Sequence, residues 1–150
     1  MQPPRWVSGY IGVPFAEHGR THDGADCWGL YRLVMAEQFG DDLPSFATTY
    51  DAANDGPDVA AAIRENGTET DTWRPVTPGD ERAGDAVHMV GYRPEGGRLR
   101  RNAMHVGLVV ARGWLLHVEA GIDATVTNYR RDRLVSRRVL GFYRHRDLDV

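Results

Sequence analysis

Residues 104–119 read Met-His-Val-Gly-Leu-Val-Val-Ala-Arg-Gly-Trp-Leu-Leu-His-Val-Glu, and this stretch decides the fold class. Two β-rich runs, Met104 to Val110 and Trp114 to Glu119, flank a short glycine-containing turn, the pattern of an antiparallel hairpin. The turn length sets what faces what. A two-residue loop, Arg112-Gly113, sends His105 and His117 to opposite faces. A three-residue loop, Ala111-Arg112-Gly113, ends in the glycine that a left-handed bulge position favours. That register pairs Val110 with Trp114 and Gly107 with His117. His105 and His117 then share one face as diagonal neighbours, about 7–8 Å apart at the backbone. Glu119 lies opposite His105 in the same register.

Working outward, further strands are expected at Asp85 to Tyr92, Ala124 to Tyr129 and Val139 to Arg144. Arg93 to Ala103 reads as a polar loop. Upstream, Leu30, Leu33 and Val34 repeat at helical spacing within Cys27 to Phe39. Asp26 is a good N-cap and Gly40 a good stop. A second short helix is expected at about Pro57 to Asn66, with Pro57 suited to its first position. Residues 8–25 and 41–54 read as loops, and 68–84 as irregular with a short extended piece at Trp73. Helices first, then a meander of strands, indicate an α+β fold: a helix packed on an antiparallel sheet of about five strands. At 150 residues the chain is expected to form a single domain over 1–150.

Composition narrows the chemistry. All 18 basic residues are arginine, so no lysine Schiff base, P-loop lysine or lysine general base exists here. The serines are Ser8, Ser45 and Ser136, none in a Gly-x-Ser-x-Gly elbow. The single cysteine, Cys27, excludes an internal disulfide and is the leading nucleophile by elimination. No apolar run reaches the roughly 18 residues of a membrane helix, and Met1 to Trp6 lacks the apolar stretch of a signal peptide. Neither a membrane nor a nucleic acid is expected as partner. Net charge is −3, distributed as 5 Arg against 12 acids in residues 1–75 and 13 Arg against 9 acids in 76–150. Two solvated faces account for that asymmetry, and an electrostatic protein interface is the alternative.

Cys27 falls in the first turn of its helix. There unpaired N–H groups and the positive dipole end favour an anion, so a lowered thiol pKa is expected. The same N–H groups suit an oxyanion. Gly29, costly inside a helix, suggests close approach of another backbone. A buried structural cysteine is the competing reading. A thiolate needs a base, which His105 can supply. His117 can orient that base, and Glu119 is the rival orienter. His18 and His22 with Cys27 have zinc-ligand residue types, but the surrounding glycines argue against the helix that His-x-x-x-His would need. A cleft position beside Cys27 is the better reading of His18 and His22, where they could bind substrate carboxylates. Trp28, adjoining Cys27, is expected in the cleft wall.

Asp26-Cys27-Trp28-Gly29-Leu30, then His105-Val106-Gly107-Leu108, then His117, resemble in order and spacing the NlpC family of papain-like cysteine peptidases. Ala83-Gly84-Asp85 is similar to the Pro-Gly-Asp that opens the family's first core strand. Gly12-Val13-Pro14-Phe15, Gly24-Ala25-Asp26 onward, Phe39-Gly40 and Leu43-Pro44 resemble the branch found in phage tails and gene transfer agents. The resemblance implies a papain-like fold, with Cys27 as nucleophile, His105 as base and His117 as orienter. Substrate contacts are expected around Phe15, His18, His22, Asp26 and Trp28, and a Cys-His mechanism needs no metal or cofactor. The implied reaction is hydrolysis of a peptide bond in bacterial peptidoglycan, typically between D-glutamate and a diamino acid. Phe15 stands where the family commonly has a tyrosine near the oxyanion site; Tyr10 is a candidate substitute. Possible partners are other phage-tail proteins, with synthesis in the bacterial cytoplasm and residence in a virion or tail particle. Two other classes fit the same residues. One is a structural tail-tip or assembly component with little activity; the other is a Cys-His acyltransferase or thioesterase.

Overall fold

Asp26 starts the main helix by accepting a hydrogen bond from the Gly29 amide at 2.8 Å through its side chain. The helix, α1, runs over Cys27–Phe39 and stops at Gly40, whose φ of 64° is left-handed. Cap, span and stop are those expected from the sequence. A computed structural model describes residues 2–43 and 73–148 of the chain. The helix expected at Pro57 to Asn66 lies outside the described residues.

Ahead of α1, a 3-10 turn at Arg5–Gly9 leads to two very short strands, β1 (Arg20–Thr21) and β2 (Gly24–Ala25), which pair with each other. Among the described residues the main sheet has six antiparallel strands: β3 (Trp73–Val76), β4 (Ala86–Glu95), β5 (Arg98–Ala111), β6 (Trp114–Glu119), β7 (Ile122–Asn128) and β8 (Val139–His145), in the order β3-β8-β4-β5-β6-β7. A short helix, α2 (Arg133–Ser136), connects β7 to β8. Its N-cap, Asp132, accepts from the amides of Leu134 and Val135.

Three expectations change. The extended piece at Trp73 is a full edge strand, paired with β8 from Trp73↔His145 to Val76↔Phe142, which makes six strands rather than five. The loop expected at 93–103 is instead the outer part of a long β4–β5 hairpin, paired to Glu95↔Arg98. Gly96 and Gly97 turn it, with φ of 59° and 78°; two successive positive φ values are what the tightest hairpin turns demand. The β5–β6 connection is a two-residue turn, Arg112-Gly113, closed by Ala111↔Trp114. A bulge between Val109 and Ala111 absorbs the extra residue, so Val109↔Leu115 and Leu108↔Leu116 follow. Those are the pairs of the three-residue register, and they put His105 and His117 on one face.

Period-2 alternation divides the core between the sheet's two faces. Leu30, Val34 and Met35 of α1 pack on Val106, Leu108, Val110, Leu116 and Val118. The opposite face gathers Val87, Met89, Val109 and Leu115 with Tyr129, Val135 and Phe142. Each fully buried aliphatic side chain contributes about 1.5–3 kcal/mol relative to exposure. Two polar ties fix α1 and β4 in place. Tyr31 donates to the Gly84 carbonyl at 2.7 Å. Asp85, fully buried, takes Arg144 in a two-pronged pair at 2.7 Å on both oxygens and caps the Arg82 amide. The Ala83-Gly84-Asp85 motif is thus a hub joining helix, β4 and β8.

Candidate active site

Cys27 lies at the N-terminal end of α1, only 8% exposed. The backbone N–H groups of Val106 and Trp28 reach its thiol. Val106 follows His105 on β5, so the thiol-bearing end of α1 docks on the strand next to His105. His105 and His117 are each 4% exposed. Their rings meet directly, Nε2 of His105 to Nδ1 of His117 at 2.8 Å, with centroids 5.1 Å apart.

That contact fixes tautomers. Two neutral imidazoles share one proton across it. If His105 is to receive a proton at Nδ1, it must carry its own on Nε2 and donate to His117 Nδ1. His117 then holds its proton on Nε2. Burial, followed by the partner histidine and Arg138, keeps His105 well below the ordinary histidine value. Burial also lowers His117, to about 4, although the Glu119 charge works in the other direction.

The thiol departs from the lowered pKa expected of a helix N-terminus. Desolvation, then the Asp26 carboxylate beside it, pushes Cys27 up to about 12, despite the opposing Val106 and Trp28 amides. At neutral pH the Cys27 thiol and the His105 and His117 imidazoles are therefore all uncharged. Glu119, 7% exposed, sits close enough to influence both the thiol and His117. Its carboxylate is engaged by Arg138 at 2.6 Å. Arg138 is itself held by a bond from Nε to the Val90 carbonyl and by the Tyr92 ring 5.1 Å below it.

The other residues singled out from the sequence separate into positions with different roles. Asp26 spends its carboxylate on positioning: Oδ1 accepts from Gly29 N–H and Arg20, and Oδ2 from the His18 N–H at 3.0 Å. His18 has φ of 60°, a strained value for a residue with a Cβ, and the bond to Asp26 holds it there. Gly29 does meet another backbone: a Cβ there would collide with the Gly19 carbonyl. Phe15 bridges to Ala25 beside the core that contains Cys27 and Trp28.

Trp28 is not a cleft residue. It is 3% exposed, stacked on Tyr31 at 5.6 Å and packed near Trp73. His22 does not face Cys27 either. It stacks on Tyr10 and bonds Glu37 at 2.8 Å, ten residues along α1, or roughly 15 Å of helix. Tyr10 is pinned to the same Glu37, so it cannot stand in at an oxyanion site beside Cys27.

Three contributors escaped the sequence reading. Arg20 carried no signal beyond its place in a glycine-rich segment. Val106 acts through its backbone. The Arg138 guanidinium is distant in sequence from the Val90, Tyr92 and Glu119 groups it touches.

The sequence profile of the NlpC/P60 family matches residues 12–144. The chain belongs to the NlpC/P60 family. Solved structures agree on the fold. An NLP/P60-family protein of Staphylococcus aureus, described as similar to a lipoprotein, aligns with TM-score 0.56 and 20% identity over 91% of this chain. The NlpC/p60 domain of the peptidoglycan hydrolase SagA aligns with TM-score 0.51 and 19% identity, covering 91% of this chain and 92% of that domain. An NlpC/P60-family protein from Bacillus cereus aligns with TM-score 0.57 and 16% identity over 96% of this chain. This chain spans 37% of the S. aureus protein and 41% of the B. cereus protein. No curated protein matches. The NlpC/P60 fold is papain-like, so the α+β class expected from the sequence holds, with a six-stranded sheet.

Proposed function

We propose that this NlpC/P60 domain is a cysteine peptidase that hydrolyses peptide bonds of bacterial peptidoglycan. The observation that carries the reading is the buried 2.8 Å bond between His105 and His117, placed next to the residue whose amide reaches the Cys27 thiol. Family membership and the SagA neighbour, a peptidoglycan hydrolase, support the substrate class.

In this reading Cys27 is the nucleophile. Its neutral thiol gives its proton to His105 Nδ1 as sulfur bonds to the substrate carbonyl carbon, rather than in a separate earlier step. The carbonyl oxygen takes the negative charge and faces the amides at the α1 N-terminus. The C–N bond then breaks, and the amine leaves with the proton from His105. Water, deprotonated by His105, attacks the resulting thioester and frees Cys27. His117 accepts from His105 Nε2–H throughout, holding the ring in place and stabilising the imidazolium as it forms. The D-glutamyl–diamino acid bond is the proposed target, and the phage-tail or gene-transfer-agent setting the proposed context. Both rest on the sequence resemblance.

Incubation with defined muropeptides, with products read by mass spectrometry, tests the reading. New amine and carboxylate termini at one bond, absent with Cys27→Ala, are expected. Intact muropeptides alongside turnover of acyl thioesters would favour the acyltransferase or thioesterase class instead.

A further inference from the structure

Asp41, His145 and Asp147 meet at the opposite end of α1 from Cys27, about 20 Å of helix away. Asp41 directly follows the Gly40 stop, with its amide bonded to the Met35 carbonyl. His145 ends β8, and Asp147 lies in the 3-10 turn after it. One imidazole nitrogen and two carboxylate oxygens lie within 4.8 Å of one another. Asp41 Oδ2 stands 2.6 Å, and Asp147 Oδ2 3.7 Å, from His145 Nδ1. Asp41 and His145 are more than nine-tenths buried. Asp41 Oδ2 and His145 Nδ1 meet as a buried ion pair that lacks the geometry of a well-formed hydrogen bond.

Donor atoms that crowd together without pointing at each other are arranged as ligands of a common centre. Asp41 and His145 are buried while Asp147 reaches solvent, so an ion at their meeting point would be held from the protein side and open to water on the other. We infer that Asp41, His145 and Asp147 form a binding site for a divalent transition-metal ion of the zinc type. The donor set selects the class: an imidazole nitrogen suits zinc and its neighbours, whereas calcium and magnesium prefer oxygen alone. A tetrahedral ion with bonds of about 2.1 Å keeps its donors roughly 3.4 Å apart, a small adjustment from the present spacing. Asp147, with a side chain 62% exposed, leaves the site open to solvent and a fourth position for water. A bound ion would tie the end of α1 to the end of β8, and so act on stability rather than on the Cys27 chemistry.

The test uses the full chain carrying Cys27→Ala, so that the thiol cannot capture zinc. After dialysis against EDTA, zinc is titrated calorimetrically, and cobalt(II) by its visible absorption. One ion per chain is expected, with Kd on the order of micromolar, and a rise in Tm that EDTA reverses. Asp147→Asn and His145→Gln should each weaken binding about tenfold or more. Asp147→Asn changes an exposed side chain, so it keeps the test decisive should His145→Gln fail to fold. Absence of binding and of any Tm shift at about 100 μM zinc would show an ion pair only and overturn the inference. So would unchanged affinity in a folded variant, which would place the ion elsewhere.

Discussion

His105 and His117, twelve residues apart on neighbouring strands, bond ring to ring at 2.8 Å inside the protein, each only 4% exposed. Their roles in the proposed reaction are unequal. His105→Ala removes the proton acceptor and should abolish turnover as fully as Cys27→Ala. His117→Ala removes only the acceptor for His105 Nε2–H, so the loss should be smaller. His117→Gln and His117→Asn keep an acceptor and should retain more activity than His117→Ala. Residues acting as a unit are non-additive, so Cys27→Ala with His117→Ala should be no worse than Cys27→Ala alone. kcat/KM on a defined muropeptide measures all six variants against the parent. Full activity in His117→Ala would remove it from the mechanism.

The neutral resting site makes a prediction about thiol reactivity. With Cys27 held near 12 by burial, its thiolate fraction at neutral pH is far below that of a free thiol, whose pKa is about 8.5. Iodoacetamide should therefore label Cys27 more slowly than glutathione at pH 7.5, and the rate should climb steadily from pH 7 to 10. Rapid labelling with a plateau below pH 7 would indicate a preformed thiolate–imidazolium pair. Peptidase activity should have its acid limb below pH 6.5. His105 serves as base only when neutral, and its folded pKa is lowered.

Glu119 is the other acid near the pair, and its bond to Arg138 decides how it acts. A carboxylate committed to a guanidinium at 2.6 Å tunes charge at His117 rather than accepting its proton. Glu119→Gln should reduce kcat/KM less than His117→Ala. It should also shift the acid limb further down in pH, because a charge that raises the His117 pKa is gone. Arg138→Gln should shift it up, since Arg138 lowers both histidines. That variant strands a buried carboxylate and should cost about 3–5 kcal/mol. Thermal melts alongside pH–rate profiles separate the two effects. A Glu119→Gln protein more damaged in rate than His117→Ala, with equal Tm, would make Glu119 the orienter.

These relationships were unevenly legible in the sequence. Local physics reports itself: the Asp26 cap, the Gly40 stop and the Gly29 close approach all follow from residue types at fixed offsets. The shared face of His105 and His117 followed from register, even though the turn has two residues and a bulge. A bulge adds the residue that a longer loop would add, so both solutions give one register. The Gly96-Gly97 hairpin was missed because its flanking sequence is mostly polar, and hydrophobic alternation carries no signal there. Trp28 was misassigned because adjacency to Cys27 in sequence says little about direction on a helix: one position is about 100° of rotation. Arg138, Arg20 and the Val106 amide depend on tertiary placement or on backbone, and neither leaves a pattern in one chain.

Gly29 should be intolerant of the smallest enlargement. A Cβ there meets the Gly19 carbonyl, the Arg20 guanidinium and the Asp26 carboxylate together. Relief requires moving the backbone of the segment that carries His18 and Arg20. Gly29→Ala should destabilise by about 3 kcal/mol, the upper end for overpacking, despite the better helix propensity of alanine. Gly9→Ala, where a Cβ meets nothing, serves as the control. Chemical denaturation of both variants measures this, and a Gly29→Ala protein as stable as the control would mean the Gly19 segment yields freely.

The depressed histidines should also make the fold acid-sensitive. For His117 the folded pKa is about 4, against about 6.5 in an unfolded chain. Above pH 6.5 both states hold the neutral ring and nothing is lost. Between 6.5 and 4 the unfolded chain binds a proton that the folded protein refuses, so stability falls as pH falls. Integrated over that window, His117 alone costs about 3 kcal/mol by pH 4. His105 adds to the loss in the same direction. The informative quantity is a difference between proteins. His117→Gln keeps an acceptor for His105 but has no proton to gain. Its unfolding free energy should decline less than the parent's between pH 7 and pH 4, by about 3 kcal/mol at the lower end. Urea unfolding at several pH values gives both curves, and parallel curves would show that His117 titrates normally in the folded protein.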